Sequence, residues 1–191
     1  MNCLYKNMET LLFRNQYRIP TTRLQPWDYS QDGWYYVTIC TKKRLHILGT
    51  VKNQKMQLSP AGKIVQKYWK QIPEKFQNIK LETFIIMPNH LHGILLIDNP
   101  AEVRLVKKSD PQAPLKMIRR TMLLSMAIGR FKMQSAKEIN LLRKRSRTPV
   151  WQSRFYDHII RKRESMYKIS QYILNNPAKW ESDRNNLENI Y

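Results

Sequence analysis

Apolar residues recur along the chain with two different periods, and together these predict a mixed α+β fold. Residues 34–41 (WYYVTICT) are aromatic and β-branched, a composition typical of a strand. Residues 84–87 and 90–97 are apolar runs separated by a two-residue turn, which predicts a hairpin in the centre of the sheet. Residues 51–58 predict a shorter and weaker strand.

Three segments carry the spacing or the end signals of helices. Ser59-Pro60 places an N-cap before a proline, which predicts a helix that starts there. A second helix is predicted over residues 115–143, with a break near Gly129. The last helix is predicted from Glu164 and ends near residue 176, because Pro177 disfavours helical geometry in its predecessor. The order of strands and helices predicts an α+β fold, an antiparallel sheet with helices packed on one face.

The 191 residues fit a single domain, in which residues 1–20 are predicted to form a loosely held basic arm. Thirty-four Lys and Arg against fourteen Asp and Glu give a net charge of +20, which is typical of a protein with a polyanionic partner. Nucleic acid is the first candidate partner and a membrane surface is the second, but no apolar run is long enough to predict a membrane-spanning helix. Two cysteines are too few for a disulfide framework and favour a reducing cytoplasm.

Residues 104–163 concentrate the positive charge. They hold seventeen Lys or Arg and three acidic residues, so they contribute +14 of the +20. Interleaved aromatic residues would offer stacking surfaces for bases beside charges for phosphates. The alternative is a solvated positive face, with Trp151 and Phe155 in the core. The residues predicted to contact DNA are Arg119, Arg120, Arg130, Lys132, Arg143, Lys144, Arg145, Arg147, Arg154 and Arg161.

His90 and His92 are two of only four histidines, and both lie in an otherwise apolar hairpin. Side chains two apart on a strand point to the same face, so both imidazoles can bind one divalent ion. The alternative is that both are core or half-exposed histidines whose hydrogen bonds are satisfied. The cost of burying polar groups in an apolar hairpin raises the weight of the metal-ligand interpretation.

Tyr172 and Asn176 lie four residues apart on the last predicted helix and therefore on one face. A phenol can act as a nucleophile on phosphorus, but its ordinary pKa near ~10 requires help from a metal or from cations. The alternative is a tyrosine packed by its ring in the core, with Asn176 capping the helix end.

Four segments in order give the chain a resemblance to a known family. Residues 87–93 (MPNHLHG) resemble the metal-binding segment of the IS200-like single-tyrosine transposases, and are closest to the REP-associated tyrosine transposases. Residues 28–41, residues 151–161 and residues 172–180 are similar to that branch as well. The resemblance spans residues 21–183.

The resemblance implies a ferredoxin-like fold and a metal-dependent single-stranded DNA endonuclease and strand transferase. His90, His92 and Asn176 would bind Mg²⁺ or Mn²⁺, and Tyr172 would form a 5′-phosphotyrosine and release a 3′-hydroxyl. Relatives often carry a longer Gln where this chain has Asn176. Tyr156 is the competing nucleophile, although Ile160 stands where its polar partner would be. The implied partner is single-stranded or hairpin DNA from palindromic repeats. The implied setting is the bacterial cytoplasm, associated with the nucleoid, as a monomer or homodimer.

Two other functions stay open on the sequence alone. A non-catalytic binder of structured DNA or RNA would keep the charge and the sheet but needs no nucleophile. A replication initiator or relaxase shares the histidine pair but usually carries further domains, for which 191 residues leave no room.

Overall fold

The computed structural model describes residues 27–100, 122–183 and 186, and their strands form a four-stranded and a two-stranded sheet. The strands are β1 (Gly33–Cys40), β2 (Gly49–Lys52), β3 (Lys55–Leu58), β4 (Ile79–Met87), β5 (His90–Ile97) and β6 (Tyr156–Ile160). The helices are α1 (Pro60–Lys70), α2 (Ile72–Lys75), α3 (Leu123–Leu142) and α4 (Arg163–Leu174), with 3-10 segments at Lys42–Arg44 and Pro177–Ser182. Residues 1–20, the predicted arm, and residues 115–121 of the second predicted helix lie outside the described residues.

The large sheet has the order β4-β5-β1-β6, and every neighbouring pair in it is antiparallel. The chain visits its strands as β1, α1, β4, β5, α3 and β6, which is the β-α-β-β-α-β order of the ferredoxin-like arrangement. The predicted α+β class and antiparallel sheet are confirmed. Strand β5 is central, as predicted for the hairpin, while its partner β4 is an edge of the sheet that the described residues form.

The two faces of the large sheet are covered by different helices. Tyr35, Val37 and Ile39 of β1 join the large core beneath α1 and α3. On the opposite face Ile94 and Ile160 pack against Ile173 of α4. The prediction of helices on one face therefore holds for α1 and α3, whereas α4 covers the other face.

Helix α1 begins as the sequence predicts. Ser59 Oγ accepts a hydrogen bond of 3.1 Å from the Gly62 backbone N–H, which satisfies one of the unpaired donors at the helix start. Lys67 and Tyr68 of α1 both bond the Glu138 carboxylate of α3, at 2.9 and 2.7 Å. The Tyr68 hydroxyl and the Lys67 ammonium hold the pKa of Glu138 below its ordinary value. These contacts join the two helices at their surface.

Three elements differ from the prediction. Residues 51–58 form part of a hairpin, β2–β3, which turns at Asn53 and Gln54 with φ of 50° and 59°. Strand β6 was not predicted at all. Helix α3 runs unbroken through Gly129, so the predicted break there is wrong.

Gly93 follows the two histidines on β5 and faces α1 on the other side of the sheet. A Cβ at this position would lie 2.4 Å from Cζ2 of Trp69, a fully buried side chain. We expect Gly93→Ala to cost about 1–3 kcal/mol of unfolding free energy, because a packed core cannot absorb an added methyl group. Chemical denaturation of the purified variant measures this.

Gly129→Ala is the matched control for that experiment. Gly129 lies in α3, and a Cβ there would meet nothing within 4 Å. The added methyl group should stabilise the helix by roughly 0.5–1 kcal/mol, because glycine loses more backbone entropy than alanine on folding. Equal effects of the two substitutions would contradict the packing argument for Gly93.

Candidate metal centre and nucleophile

His90 and His92 lie side by side on β5, on the face that α4 covers. Their ring centroids are 4.4 Å apart, and the side chains are 0% and 1% exposed. The alternation of side chains on a strand places both on one face, as the sequence predicts. Within the part of the chain that the structure describes, these two rings join Asp183 in a group able to hold a metal ion.

His90 is oriented by its neighbour in the turn. Its Nδ1 lies 2.8 Å from Oδ1 of Asn89, which accepts the proton of Nδ1. The Asn89 amide is itself fixed, since Nδ2 donates to the Arg44 carbonyl at 3.2 Å. With the proton on Nδ1, the lone pair of His90 is on Nε2. That nitrogen is buried and has no hydrogen-bond partner among the described residues, so it fits a metal ligand.

The charge state of His90 suits the same role. Burial, together with the nearby positive charges of Arg44 and His46, lowers the pKa of His90 to about 3. The imidazole is therefore neutral at physiological pH, and a neutral ring is the form that binds a metal.

His92 is oriented by two hydroxyl groups of β1. Its Nδ1 lies 2.7 Å from the Tyr36 hydroxyl and 2.8 Å from Oγ1 of Thr38. The Tyr36 ring also stacks on the imidazole, with centroids 5.6 Å apart. These hydroxyl groups occupy Nδ1, whereas Nε2 of His92 is buried with no hydrogen-bond partner among the described residues, so Nε2 is the nitrogen that would bind a metal beside Nε2 of His90.

Asp183 reaches the histidines from the C-terminal side of α4. Ligand atoms of Asp183, His90 and His92 all lie within 4.8 Å of one another. The 3-10 helix Pro177–Ser182 brings the chain back, because Trp180 packs against the rings of both His46 and His90, at 5.4 and 6.0 Å. Helix α4 ends at Leu174, close to the predicted end, although Asn176 before Pro177 keeps helical φ and ψ of −59° and −41°.

Tyr172 lies over the histidine pair. Its ring centroid is 5.5 Å from that of His92, and 43% of the residue is exposed. Its neighbour Ile173 is fully buried against the sheet, which fixes the rotation of α4 and places Tyr172 at the border between core and solvent. Tyr172 is thus not the fully packed core tyrosine of the alternative interpretation.

Asn176 lies one turn after Tyr172 and is only 2% exposed. Its Oδ1 is buried and has no hydrogen-bond partner in the described part of the chain. The side chain makes no capping hydrogen bond at the 3-10 helix that it precedes, and the cap of α4 is Asn175. A buried oxygen of this kind fits a ligand better than a cap.

Eight of the ten predicted DNA contacts lie in the described part of the chain, and they are spread over several elements. Arg130 lines a cavity between α1, α2 and α3, on the side of the sheet away from the histidines. The Lys132 ammonium donates to the carbonyls of Gln152 and Ser153, at 2.6 and 3.1 Å, and so holds that segment to α3. The loop after α3, which is exposed or half-exposed, carries Arg143, Lys144, Arg145 and Arg147. Arg154 is exposed, and Arg161 is exposed beside Trp27. Arg119 and Arg120 lie outside the described residues.

Sequence reasoning missed the residues that orient the histidines and the carboxylate beside them. Asn89 stands directly before His90, so the motif itself contained a signal for its role. Tyr36 and Thr38 lie two residues apart on β1 and point to the same face of the sheet. Only the pairing register of β1 with β5 shows that this face brings them to His92. The sequence contains no signal for Asp183, because its position beside the histidines depends on the path of the chain after α4.

Comparison with known proteins gives one relative in sequence. The chain is 37% identical over 166 residues to an uncharacterized protein of Haemophilus influenzae, an alignment that spans 85% of this chain and 89% of that protein. This chain belongs to the same family. No family model matches the sequence.

Among solved structures, the fold is similar to that of a REP-associated tyrosine transposase bound to a REP hairpin. The TM-score is 0.55 at 16% identity, and the match covers 83% of this chain and 74% of the transposase chain. The likeness shows a shared fold, an α+β architecture with an antiparallel sheet and packed helices. No helix among the described ranges is long and apolar enough to cross a membrane.

Proposed function

We propose that this protein is a metal-dependent single-stranded DNA endonuclease and strand transferase, a transposase-like enzyme with Tyr172 as its nucleophile. The observation that carries the proposal is the Tyr172 ring 5.5 Å from His92, beside the buried imidazoles of His90 and His92 and the partly buried carboxylate of Asp183. The protein of similar fold is a transposase bound to a REP hairpin, which supports hairpin-forming palindromic repeats as the substrate. The net charge of +20 supports a nucleic-acid partner.

The residues present fit a divalent metal ion. His90 and His92 would bind it through Nε2 and Asp183 through its carboxylate, and Oδ1 of Asn176 is the fourth candidate ligand. Two imidazoles with one or two oxygens suit Mn²⁺ better than Mg²⁺, which prefers an all-oxygen shell. When bound, such an ion would polarise the phosphate and neutralise the charge that develops on its oxygens.

Tyr172 would carry the covalent step. Its hydroxyl oxygen attacks phosphorus, a tyrosine–phosphate bond forms, and the bond between phosphorus and the 3′-oxygen breaks. The phenol proton passes to solvent and the departing 3′-oxygen takes up a proton, so the step is balanced. The 5′-phosphotyrosine conserves the energy of the phosphodiester, and attack by another 3′-hydroxyl reverses the step and joins a new strand.

The test is covalent capture of a labelled hairpin with a single-stranded flank, in Mn²⁺ and in excess EDTA. We expect a protein–DNA adduct that resists denaturation in Mn²⁺ and disappears in EDTA. Adduct in excess chelator would overturn the metal part of the proposal. Hairpin binding with no adduct in any divalent metal would instead favour the non-catalytic binder.

Salt dependence tests whether the positive charge contacts phosphate. Each phosphate neutralised on a single strand contributes about −0.7 to the slope of log affinity against log salt concentration. We expect replacement of Arg143, Lys144, Arg145 and Arg147 by Gln to flatten that slope by about 0.7 for each phosphate they contact. Lys52→Gln with Lys55→Gln, on the β2–β3 hairpin, is the control with fewer charges removed. An unchanged slope in the loop variant would exclude this loop from the DNA interface.

A further inference from the structure

We infer that the outer edge of β6 holds a nucleotide subsite, in which an unpaired base of the DNA stacks on Tyr156 while Arg161 and Lys162 contact its phosphate. The inference rests on the proposed function, because the ligand is the same strand that Tyr172 would cut. It assigns Tyr156 a role in binding DNA, whereas the sequence alone made Tyr156 the competing candidate for the nucleophile.

A continuous row of rings leads from the histidines to Tyr156. The Tyr36 ring stacks on His92, with centroids 5.6 Å apart and an angle of 27° between the planes. The Tyr156 ring meets Tyr36 edge-on at 6.2 Å. Strand register explains the row, because His92, Thr38 and Tyr156 are paired across β5, β1 and β6 and so share one face. Tyr156 is therefore two ring contacts from the candidate metal centre, within reach of one strand that passes over both.

Tyr156 is exposed in a way that suits a stacking partner. Half of the residue is accessible to solvent, on the last strand of the sheet that the described residues form. A ring held edge-on by Tyr36 keeps one orientation while it presents its surface to a ligand. Stacking on aromatic rings is how proteins hold unpaired bases, since the bases of a closed duplex are already stacked on each other.

An open cavity of about 650 Å³ adjoins Tyr156, between β6 and the start of α4. This volume is in the range of small-molecule sites and is large enough for a nucleotide. Arg161 and Lys162 line it with two cations, and Ser165 adds a hydroxyl. Asp157 lines the same cavity and is suited to accept hydrogen bonds from base amino groups. Two permanent cations against one carboxylate favour an anionic ligand that also carries donors, which describes a nucleotide.

Arg161 is held in place at this cavity. Its guanidinium lies 5.6 Å from the centre of the Trp27 ring, a cation–π contact that limits the rotamers of the side chain. A pre-positioned cation loses less entropy when it contacts a phosphate.

The experiment measures binding without chemistry. The probe is a fluorescein-labelled oligothymidylate of about 12 nucleotides, within the site sizes of single-strand binding proteins, titrated in EDTA by anisotropy. Tyr156→Ala should raise Kd by about 5- to 150-fold, because base stacking contributes ~1–3 kcal/mol per base. Tyr156→Phe keeps the ring and should stay within twofold. Tyr167→Ala is the matched control, since Tyr167 is 66% exposed on α4 and does not line the cavity.

Two further measurements separate the contribution of base stacking to DNA affinity from that of phosphate contact. A sugar-phosphate oligomer without bases should bind wild type and Tyr156→Ala equally. Lys162→Gln should reduce the salt slope by about 0.7, the contribution of one phosphate on a single strand. Lys63→Gln, an exposed lysine on α1, should leave the slope unchanged.

The subsite and the proposed function fail in different ways. Tyr156→Ala that binds the oligomer like wild type overturns the subsite, whether or not Tyr172 forms an adduct. Absence of any covalent protein–DNA adduct does not change the binding measured by anisotropy, so that outcome counts against the proposed function alone. Tyr156→Phe that binds normally but no longer forms an adduct would make Tyr156 the nucleophile, which overturns the role proposed for Tyr172 and leaves the stacking role of the Tyr156 ring to the Tyr156→Ala result.

Discussion

Tyr172→Phe is expected to abolish the covalent adduct and the cleavage of single-stranded DNA, while DNA affinity stays within a few-fold of wild type. The substitution removes only the hydroxyl oxygen that would attack phosphorus. The ring contact with His92 at 5.5 Å and the packing of α4 through Ile173 remain available to phenylalanine. Removal of a covalent nucleophile lowers turnover by several orders of magnitude, far beyond any effect on binding.

Tyr156→Phe is the control for this experiment. It removes the same atom from another exposed tyrosine near the histidines, and it keeps the ring that we assign to base stacking. We expect normal adduct formation from Tyr156→Phe, with the adduct mapped by mass spectrometry to the peptide that contains Tyr172. Cleavage by Tyr172→Phe together with an inactive Tyr156→Phe would exchange the two roles.

The elements that the sequence predicts well are those with a strong local pattern. β1 and the β4–β5 hairpin are apolar and β-branched, and α1 starts at a Ser-Pro cap; all three form as expected, except that β4 begins at Ile79, five residues before the predicted start. Strand β6 has only five residues at the edge of the described sheet, and its partly exposed sequence YDHII lacks a clear apolar alternation. The β2–β3 turn was missed because it uses Asn53 and Gln54 in left-handed geometry, where glycine would be the usual signal.

The candidate site likewise contains residues that a local pattern predicts and a residue that it does not. His90 and His92 could be found because strand alternation alone places them on one face. Asp183 is more than 90 residues away from them in sequence, and it arrives only because the chain continues past Pro177 as a 3-10 helix. Trp180 holds that segment by packing against His46 and His90, a tertiary contact that no local pattern reports. Local rules predict the strand that presents the ligands, whereas long-range packing decides which group completes the set.

Asp183→Asn is expected to weaken Mn²⁺ binding by tenfold or more, on the order of 1.4 kcal/mol. The charged carboxylate is a stronger ligand for a hard cation than the neutral amide that replaces it. Asp183 has its ligand atom within 4.8 Å of those of His90 and His92, and the substitution preserves its shape. Free Mn²⁺ measured by electron paramagnetic resonance, with the protein alone, gives the dissociation constant independently of cleavage.

Substitutions of Asn176 test whether its side-chain amide is a metal ligand in addition to the Asp183 carboxylate. Asn176→Ala should weaken Mn²⁺ binding as well, since its buried Oδ1 has no hydrogen-bond partner among the described residues. Asn176→Asp should retain or tighten it. A purely structural role would leave the titration unchanged and cost at most about 1 kcal/mol of stability, by analogy with helix caps.

Matched controls lie beside both residues. Glu181→Gln removes an exposed carboxylate from the same 3-10 helix as Trp180, and Asn175→Ala removes the exposed amide that precedes Asn176. Both should leave Mn²⁺ affinity unchanged. Weaker binding in Asn176→Ala with an unaffected Asp183→Asn would mean that the metal is held by the two histidines and the amide. Unchanged titrations in both, with only a lower melting temperature, would leave the two histidines as its protein ligands and return Asn176 to a role in packing alone.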